Sequence, residues 1–218
     1  MFTVFTMSDQ RERILARACD LYLRDGLDGF SMRKLAKAVG VTAPAIYRHY
    51  DGREEVLADV LREAHRTFSR YLYRALGEPT PLERFFGAGQ GYLDFVVDHP
   101  RWYGMLHAAP DHLGMEALPD DIEAMGCAIH QFWIDRVQEC MQAGILKEGD
   151  ANETAVTMWA HAHGMVQLYH AGRFHIGPEE FRALFEASGA RMMSGVATKQ
   201  FAEQLSHKFG EGAAQLQG

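Results

Sequence analysis

The sequence predicts an all-α fold of about nine helices. Apolar residues recur at intervals of three and four in most segments, which is the period of a helix with one buried face. Proline or glycine separates successive helical segments, and no alternating run is long enough to predict a sheet. We expect a small helical domain at 8–67, a larger helical bundle at 68–206, and disorder at 1–7 and 207–218.

The first helix is predicted from about Asp9 to about Asp25. Asp9 and Glu12 have the spacing of a capping box, in which two free backbone N–H groups are satisfied. The apolar residues of its inner face are Ile14, Ala18, Leu21 and Tyr22.

A very short second helix is predicted between Ser31 and Gly40. The Ser31 hydroxyl can accept a hydrogen bond from a free N–H at the helix start. Gly40 can adopt the left-handed conformation that ends a helix. The stripe between them that we expect to be buried is Met32, Leu35, Ala36 and Val39.

The third helix, at about 42–48, has few residues to bury. Thr42 is a good N-cap, and Pro44 is tolerated in the first turn because its missing N–H has no partner there in any case. Ala45 and Ile46 supply the buried side, whereas Tyr47 and the basic residues after it supply hydrogen-bond donors. This arrangement predicts a helix-turn-helix that holds its second helix against DNA.

Residues 8–66 resemble the DNA-binding domain of the TetR-like transcriptional regulators. The resemblance rests on Gly26, Phe30, Ser31, Leu35, Ala36, Gly40, Val41, Ile46, Tyr47, His49, Tyr50, Arg53, Glu54, Glu55 and Leu57. Members of that family more often have Phe at the position of Tyr50 and Lys at that of Arg53. The resemblance implies nine helices and a homodimeric, cytoplasmic regulator, in most cases a repressor.

We therefore expect the helix-turn-helix at 31–50 to bind double-stranded operator DNA. Tyr47, Arg48, His49 and Arg53 are the expected phosphate contacts. The small residues at the tip of the third helix are expected nearest the bases. The whole expected set is Ser31, Arg33, Thr42, Ala43, Pro44, Ala45, Tyr47, Arg48, His49 and Arg53.

The net charge of −7 is unevenly distributed. Residues 1–66 carry 11 basic and 10 acidic side chains, while residues 67–218 carry 11 and 19. The N-terminal part is therefore only weakly cationic, so we expect moderate, salt-dependent affinity for DNA. No run of 18 apolar residues predicts a membrane span, and three cysteines without CxxC spacing fit a reducing cytoplasm.

The remaining helices are predicted from their apolar periods and from the breaks between them. They are expected at about 52–76, 82–98, 120–143, 150–171 and 178–206, with a short segment after Pro100. GAGQG at 87–91 lies inside such a period, so we interpret it as close helix packing rather than as a phosphate loop.

The eighth helix carries a pattern, W-x-x-x-H-G at Trp159, His163 and Gly164, that resembles one subgroup of TetR-like C-terminal domains. Two readings stay open, structural packing and the lining of a ligand cavity. If there is a cavity, we expect it to take a small apolar or aromatic effector. Its expected lining is Trp102, Tyr103, Leu106, Trp133, Met158, Trp159, His163 and Tyr169.

Helices eight and nine are the expected dimer interface, as the resemblance also implies. The apolar stripe assigned to the contact is Phe181, Leu184, Phe185, Ser188 and Met192. The alternative is that this stripe packs only within its own chain.

No cofactor, metal ligand or catalytic residue is predicted. His163 and His170 share a helical face, but they would need a third ligand to hold a metal. A metal-responsive or ligand-independent DNA-binding regulator is the alternative function. A helical enzyme with a DNA-binding head is a weaker one, because no catalytic cluster is recognisable.

Overall fold

The computed structural model describes residues 7–199 and 201. Within them the chain forms nine α-helices and no strand, which confirms the predicted fold class. The helices are α1 Met7–Gly29, α2 Met32–Val39, α3 Ala43–Ile46, α4 Arg53–Tyr73, α5 Pro81–Asp98, α6 Pro100–Leu106, α7 Asp120–Gln142, α8 Ala151–His170 and α9 Pro178–Val196. The predictions of disorder fall outside the described residues, except at Met7.

Some helix ends differ from the prediction. The end of α4 is followed by a 3-10 turn, Arg74–Gly77. The predicted ninth helix reaches 206, but α9 ends at Val196. It ends there because Ala197 is extended and forms an isolated antiparallel bridge with Leu146. Periodicity alone does not reveal such a contact, since it joins residues far apart in the sequence.

The described chain divides into two compact units. The first runs to Ser69 and also contains His99–Cys127, and the second contains Arg70–Asp98 and the described residues from 128 onward. This division places 99–127 with the N-terminal helices, whereas the sequence suggested limits at 8–67 and 68–206. Those limits remain a prediction. None of the described helices is long and apolar enough to span a membrane.

The first unit has its own core around α1. Ile14, Ala18 and Leu21 are buried on the predicted inner face. The Tyr22 ring stacks on Trp102 with a centroid distance of 5.6 Å, and its hydroxyl donates to the Arg101 carbonyl at 2.7 Å. Helix α6 is thereby packed and hydrogen-bonded against α1.

The second unit is built from α5, the C-terminal part of α7, α8 and α9. Its core includes Phe85, Val137, Met158 and Met193. Gly91 of the GAGQG segment lies against the backbone of Tyr71, where an added Cβ would overlap the carbonyl oxygen. Close packing, as predicted, is therefore the role of this glycine.

Candidate DNA-binding surface and effector cavity

Helix α2 is defined by its two end residues. The Ser31 hydroxyl accepts a hydrogen bond from the Lys34 N–H at 3.3 Å, which satisfies one free donor at the helix start. Gly40 has φ +80°, and its N–H donates to the carbonyls of Ala36 and Lys37. A side chain at this φ would be strained, so glycine suits the turn. Both predicted ends are confirmed.

Helix α3 is a single turn, Ala43–Ile46, shorter than the predicted 42–48 because residues 47–49 form a turn. Ile46 is completely buried and anchors the turn in the core. Thr42 has the extended backbone of an N-cap but makes no side-chain capping bond. The Thr42 hydroxyl therefore remains available for an outside partner.

The outward side of this motif carries most of the expected DNA-binding residues. Tyr47 is 52% exposed, and Ser31 is partly buried at its cap position. We call the outward residues the α2–α3 surface. It consists of the exposed Arg33, Thr42, Pro44, Tyr47 and Arg48 and the partly buried Ala43 and His49.

Two of the expected contacts need correction. Ala45 is only 6% exposed, because its methyl group faces the core, so the prediction of a base contact is wrong. The Arg53 guanidinium donates to the Leu27 carbonyl at 3.2 Å and lies 6.0 Å from the Phe30 ring centroid. We therefore interpret Arg53 as tying α4 to the end of α1, instead of as a phosphate contact.

Arg11, which no sequence pattern indicated as functional, lies directly behind the α2–α3 surface. Its guanidinium donates to the His49 carbonyl at 2.8 Å and to the carboxylates of Glu55 at 2.9 Å and Asp59 at 3.0 Å. It also lies 4.3 Å from the Tyr50 ring centroid. One side chain thus holds the end of the helix-turn-helix against α4.

Asp59 is shared by several of these contacts. It accepts a hydrogen bond from the Tyr50 hydroxyl at 3.0 Å, and Arg62 donates to it at 2.7 Å. Burial, and then the Asp59 carboxylate, raise the pKa of Tyr50, so the phenol stays protonated and donates. The sequence signal for this contact was Tyr50 itself, at a position where the family more often has Phe.

Arg62 extends the network to the start of α7. It donates to the two Asp121 carboxylate oxygens at 2.6 and 2.9 Å. The Arg62 hydrogen bond is the main cause that lowers the pKa of Asp121. We call Arg11, Tyr50, Asp59, Arg62 and Asp121 the Asp59 network; all five belong to the first unit.

The second unit contains a cavity of about 460 Å³ between α5, α7, α8 and α9. Its walls are mainly aromatic, aliphatic and methionine side chains. The lining residues whose side chains carry polar groups are Gln90, Tyr92, Trp133, Trp159, His161 and Glu186. Among the described residues no lysine or arginine lines it.

The predicted pocket residues divide into three groups. Trp133, Met158 and Trp159 do line the cavity. The prediction is wrong for three residues that belong to the first unit instead, namely Trp102, Tyr103 and Leu106.

The prediction is also wrong for His163 and Tyr169. The Gln167 amide Nε2 donates a hydrogen bond to His163 Nε2 at 3.3 Å, and Tyr169 stacks on Phe181 with a centroid distance of 4.0 Å. Neither lines the cavity. His161 lines it instead, because residues two positions apart on a helix point in nearly opposite directions.

His161 has a polar atom without a partner. Its Nε2 is shielded from solvent and makes no hydrogen bond within the part of the chain that the structure describes. An unpaired buried ring nitrogen lowers the stability of the fold, because it has lost water without gaining a partner.

Most of the predicted dimer stripe faces the interior of its own unit. Phe181 is completely buried, Phe185 stacks on Tyr92, and Met192 lines the cavity. The interface prediction is therefore wrong for the completely buried Phe181. It stays a prediction for the partly buried Phe185, Ser188 and Met192 and for the exposed Leu184.

A different apolar row remains uncovered on α8. Val156, Ala160 and Leu168 are exposed, and a Cβ added at Gly164 would point into open space. The four residues are spaced by four and form one ridge of the helix. We call them the α8 ridge.

Within the described ranges, no group of three His, Cys, Asp or Glu side chains is placed to hold a metal ion.

Curated relatives are similar to this chain over about half to two-thirds of its length. The biofilm operon icaADBC HTH-type negative transcriptional regulator IcaR of Staphylococcus epidermidis is 24% identical over 49% of this chain and 58% of its own length. The HTH-type transcriptional repressor KstR2 of Mycolicibacterium smegmatis is 22% identical over 63% of this chain and 67% of its own. The chain thus spans about three-fifths to two-thirds of these curated relatives.

Solved structures share the fold over most of the chain. A protein of unknown function from Rhodococcus sp. RHA1 has a TM-score of 0.75 at 24% identity, with 90% of this chain and 100% of that one covered. AibR in complex with isovaleryl coenzyme A and operator DNA has a TM-score of 0.62 at 19% identity, with 86% and 97% covered.

Two family descriptions match separate parts of the chain. Residues 14–60 match "Bacterial regulatory proteins, tetR family", and residues 85–192 match "Tetracyclin repressor-like, C-terminal domain". Together they cover the helix-turn-helix and the helices that enclose the cavity. The family and the matched relatives are transcriptional regulators rather than enzymes. The chain belongs to the TetR family of bacterial regulatory proteins.

Proposed function

We propose that the protein is a ligand-responsive transcriptional repressor that binds a palindromic operator as a homodimer. The observation that supports DNA binding is that α3 and the residues next to it have one buried side and one exposed side. Ala45 and Ile46 are buried in the core, while Thr42, Pro44 and Tyr47 are exposed beside Arg48. A one-turn helix with a rigid inner side and an outer side of donors can approach DNA closely.

The α2–α3 surface contains both classes of DNA contact. Arg33, Arg48 and His49 are the proposed phosphate contacts, and Ser31 at the N-cap of α2 lies with them. Thr42, Ala43, Pro44 and Tyr47 are the proposed contacts closest to the base edges. Their small or flat side chains let the backbone approach the major groove.

A single copy of the N-terminal part of the chain has little net charge to attract DNA. Residues 1–66 carry only one more basic than acidic side chain. Two copies bound at half-sites about 34–36 Å apart would sum their contacts, as other helix-turn-helix dimers do. Affinity is then a property of the dimer, and it should fall with rising salt.

The α8 ridge is the proposed centre of the dimer contact, with exposed Leu184 of α9 beside it. Ala160 and Gly164 allow close approach of a second helix, and Val156 and Leu168 supply apolar area. Two copies of the same ridge can pair about a two-fold axis. This proposal replaces the stripe centred on Phe181.

The cavity supports the ligand-responsive part. A pocket of this size and apolar lining is typical of small-molecule sites. The AibR structure, which has the same fold, contains isovaleryl coenzyme A together with operator DNA. An effector that binds one dimer state more tightly would shift the population away from the state that fits both half-sites.

Arg48→Ala tests the DNA-binding part. Duplexes selected by the protein from a random-sequence pool serve as the probe in a mobility-shift titration. We expect Arg48→Ala to weaken binding about equally for all of the duplexes and to reduce the salt slope by about one. Tyr47→Ala should weaken binding while the protein stays dimeric.

Arg173→Ala is the matched control, because Arg173 is exposed in the second unit. It should bind the same duplexes as the unmodified protein. Unchanged affinity of both Tyr47→Ala and Arg48→Ala would contradict the assignment of the α2–α3 surface.

Sedimentation tests the dimer. Leu168→Glu places an unpaired charge in the α8 ridge, so we expect dissociation to monomers and loss of operator binding. Gln167→Glu is the control on the neighbouring exposed position. A dimer that survives Leu168→Glu with unchanged affinity would contradict this interface.

A further inference from the structure

We propose that Asp121, in the first turn of α7, is a positioning residue for DNA binding. It lies far along the chain from the predicted DNA-binding domain at 8–67, and it is no part of the α2–α3 surface. It acts on that surface through the other members of the Asp59 network, all of which belong to the first unit. This inference rests on the proposed function only in assigning DNA binding to the α2–α3 surface.

The outer link of the network joins Asp121 to Arg62. The Nε and Nη2 of Arg62 donate to the two Asp121 carboxylate oxygens at 2.6 and 2.9 Å. Two parallel bonds of this kind fix the plane of a guanidinium, which a single contact does not. The Asp121 hydrogen bond raises the pKa of Arg62, and the Arg62 hydrogen bond lowers the pKa of Asp121, so both groups stay charged.

The middle link places Asp59 between two guanidinium groups. Arg62 donates to its Oδ1 at 2.7 Å, whereas Arg11 and the Tyr50 hydroxyl donate to its Oδ2, each at 3.0 Å. Both carboxylate oxygens are therefore bound by different donors. A carboxylate that is bound at one oxygen only can turn about its last side-chain bond, because that torsion is soft. Loss of the Arg62 contact would thus loosen the contact with Arg11.

The inner link reaches the backbone of the helix-turn-helix. Arg11 donates to the His49 carbonyl at 2.8 Å, and the His49 N–H donates to the Ile46 carbonyl at 2.9 Å. The exposed Tyr47 and Arg48 lie between these two anchored residues. Since a hydrogen bond weakens when its atoms move by a few tenths of an ångström, the position of Arg11 affects how well this segment can meet DNA.

The charge of Asp121 distinguishes a positioning role from a direct electrostatic one. A carboxylate repels DNA phosphates, so electrostatics alone predicts that its removal leaves operator affinity unchanged or raises it. A positioning role predicts the opposite sign, because a neutral amide no longer holds the Arg62 guanidinium by two charge-assisted hydrogen bonds. The direction of the change in affinity therefore separates the two roles.

Asp121→Asn is the test, with Asp120→Asn as the matched control. Both variants remove one negative charge from the first turn of α7, but only Asp121 binds Arg62. The mobility-shift titration with the selected duplexes measures affinity. We expect Asp121→Asn to weaken binding about threefold to tenfold, and Asp120→Asn to leave it unchanged or slightly tighter. The salt slope of Asp121→Asn should stay that of the unmodified protein, because no phosphate contact is lost.

Two further variants separate positioning from a loss of folding. Asp121→Glu keeps a carboxylate that can reach Arg62, so it should bind the duplexes within about twofold of the unmodified protein. Arg11→Met removes the inner link. In that background Asp121→Asn should weaken binding no further, because the two residues act through one chain of contacts. Circular dichroism should show both asparagine variants fully folded at the assay temperature.

Several outcomes would overturn the inference. They are unchanged or tighter binding by Asp121→Asn, equal weakening by both asparagine variants, no recovery with Asp121→Glu, and a full further loss when Asp121→Asn is combined with Arg11→Met. Failure of the proposed function looks different. In that case Tyr47→Ala and Arg48→Ala leave the affinity unchanged, whereas failure of the positioning role leaves both of those losses intact.

Discussion

The Asp59 network of the first unit and the cavity of the second unit treat polar groups in opposite ways. In the first unit Asp59 is contacted by Arg11, Tyr50 and Arg62, so the charges behind the DNA-binding surface are paired. In the second unit the cavity is apolar, and the Nε2 of His161 has no partner among the described residues. The first arrangement fixes a geometry, whereas the second leaves room for another molecule.

This difference between the Asp59 network and the cavity fits the DNA-binding and ligand-binding functions that we propose for them. Hydrogen bonds between charged groups are directional, so the Asp59 network can fix where the end of the helix-turn-helix lies. The methionine and aromatic side chains of the cavity walls can change their packing more easily than the Asp59 network can, because many arrangements of similar energy are available to them. A ligand-responsive regulator needs a rigid DNA-binding surface and a ligand cavity that can adapt its shape.

The largest expected effect tests how tightly the second unit is packed away from its cavity. Gly91→Ala should lower the free energy of unfolding by about 1–3 kcal/mol, because the new Cβ overlaps the Tyr71 carbonyl and forces α5 to shift. Chemical denaturation measures the change. Hydrogen exchange should show the loss of protection in α5 rather than in α2.

Gly89→Ala is its control on the same helix. A Cβ there meets no atom within 4 Å, so this variant should be as stable as the unmodified protein or slightly more stable. Equal destabilisation by the two substitutions would show that α5 is not closely packed at Gly91.

The next effect tests whether the Asp59 network is what makes the first unit rigid. Asp59→Ala leaves Arg11 and Arg62 without their shared partner, so we expect a loss of about 2 kcal/mol in unfolding free energy. Operator affinity should fall as well, because the His49 carbonyl is then held less firmly. Denaturation and the mobility-shift titration measure the two effects.

Asp20→Ala provides the comparison, since Asp20 pairs with Arg17 on the exposed side of α1. Exposed pairs of this kind contribute about 0–1 kcal/mol. If Asp59→Ala and Asp20→Ala proved equally mild, the network would be no more than a set of surface ion pairs.

A smaller effect is expected when only the hydrogen bond from Tyr50 to Asp59 is removed from the network. Tyr50→Phe removes the hydroxyl that donates to Asp59 and keeps the ring, so it should cost about 1 kcal/mol. The change should be seen in the denaturation midpoint with the slope unaltered. In an Asp59→Ala background the same substitution should cost almost nothing, and a full second loss would mean that the two residues act independently.

The smallest effect depends on pH and concerns the second unit. Burial alone would raise the pKa of Glu139, but hydrogen bonds from Arg136 and Arg84 outweigh it and lower the pKa below its ordinary value of 4.5. A lowered carboxyl pKa contributes stability above pH 4.5 that is lost as pH falls through the folded-state value. Glu139→Gln should therefore flatten the acid side of the stability profile, and an unchanged slope below pH 4.5 would contradict this.

The fold was predictable where its causes are local. Ser31 and Gly40 end α2 through contacts within four residues, so the sequence revealed them. Burial was predictable as well, since Trp102, Tyr103 and Phe181 are all buried. What sequence alone did not reveal is which partner buries them, because a helical period gives the apolar side of a helix but not its neighbour.

The DNA-binding surface and the cavity also differ in how local their causes are in the sequence. The α2–α3 surface lies on one continuous stretch of chain, so most of its residues were found before the fold was known. The cavity is enclosed by four helices that are distant in sequence, and only three of its predicted residues line it. His161 was missed in favour of His163 because a short family pattern drew attention to the wrong side of α8. Arg11 was missed because its partners lie 38 to 48 positions away.

The placement of the three tryptophans has a practical consequence. Trp133 and Trp159 line the cavity, and Trp102 stacks on Tyr22 in the first unit. The tryptophans are intrinsic fluorophores, and each unit therefore contains its own. With Trp102 replaced by Phe, tryptophan emission would come from the cavity walls alone. Occupancy could then be followed by tryptophan fluorescence in an unlabelled protein, without a tryptophan signal from the first unit.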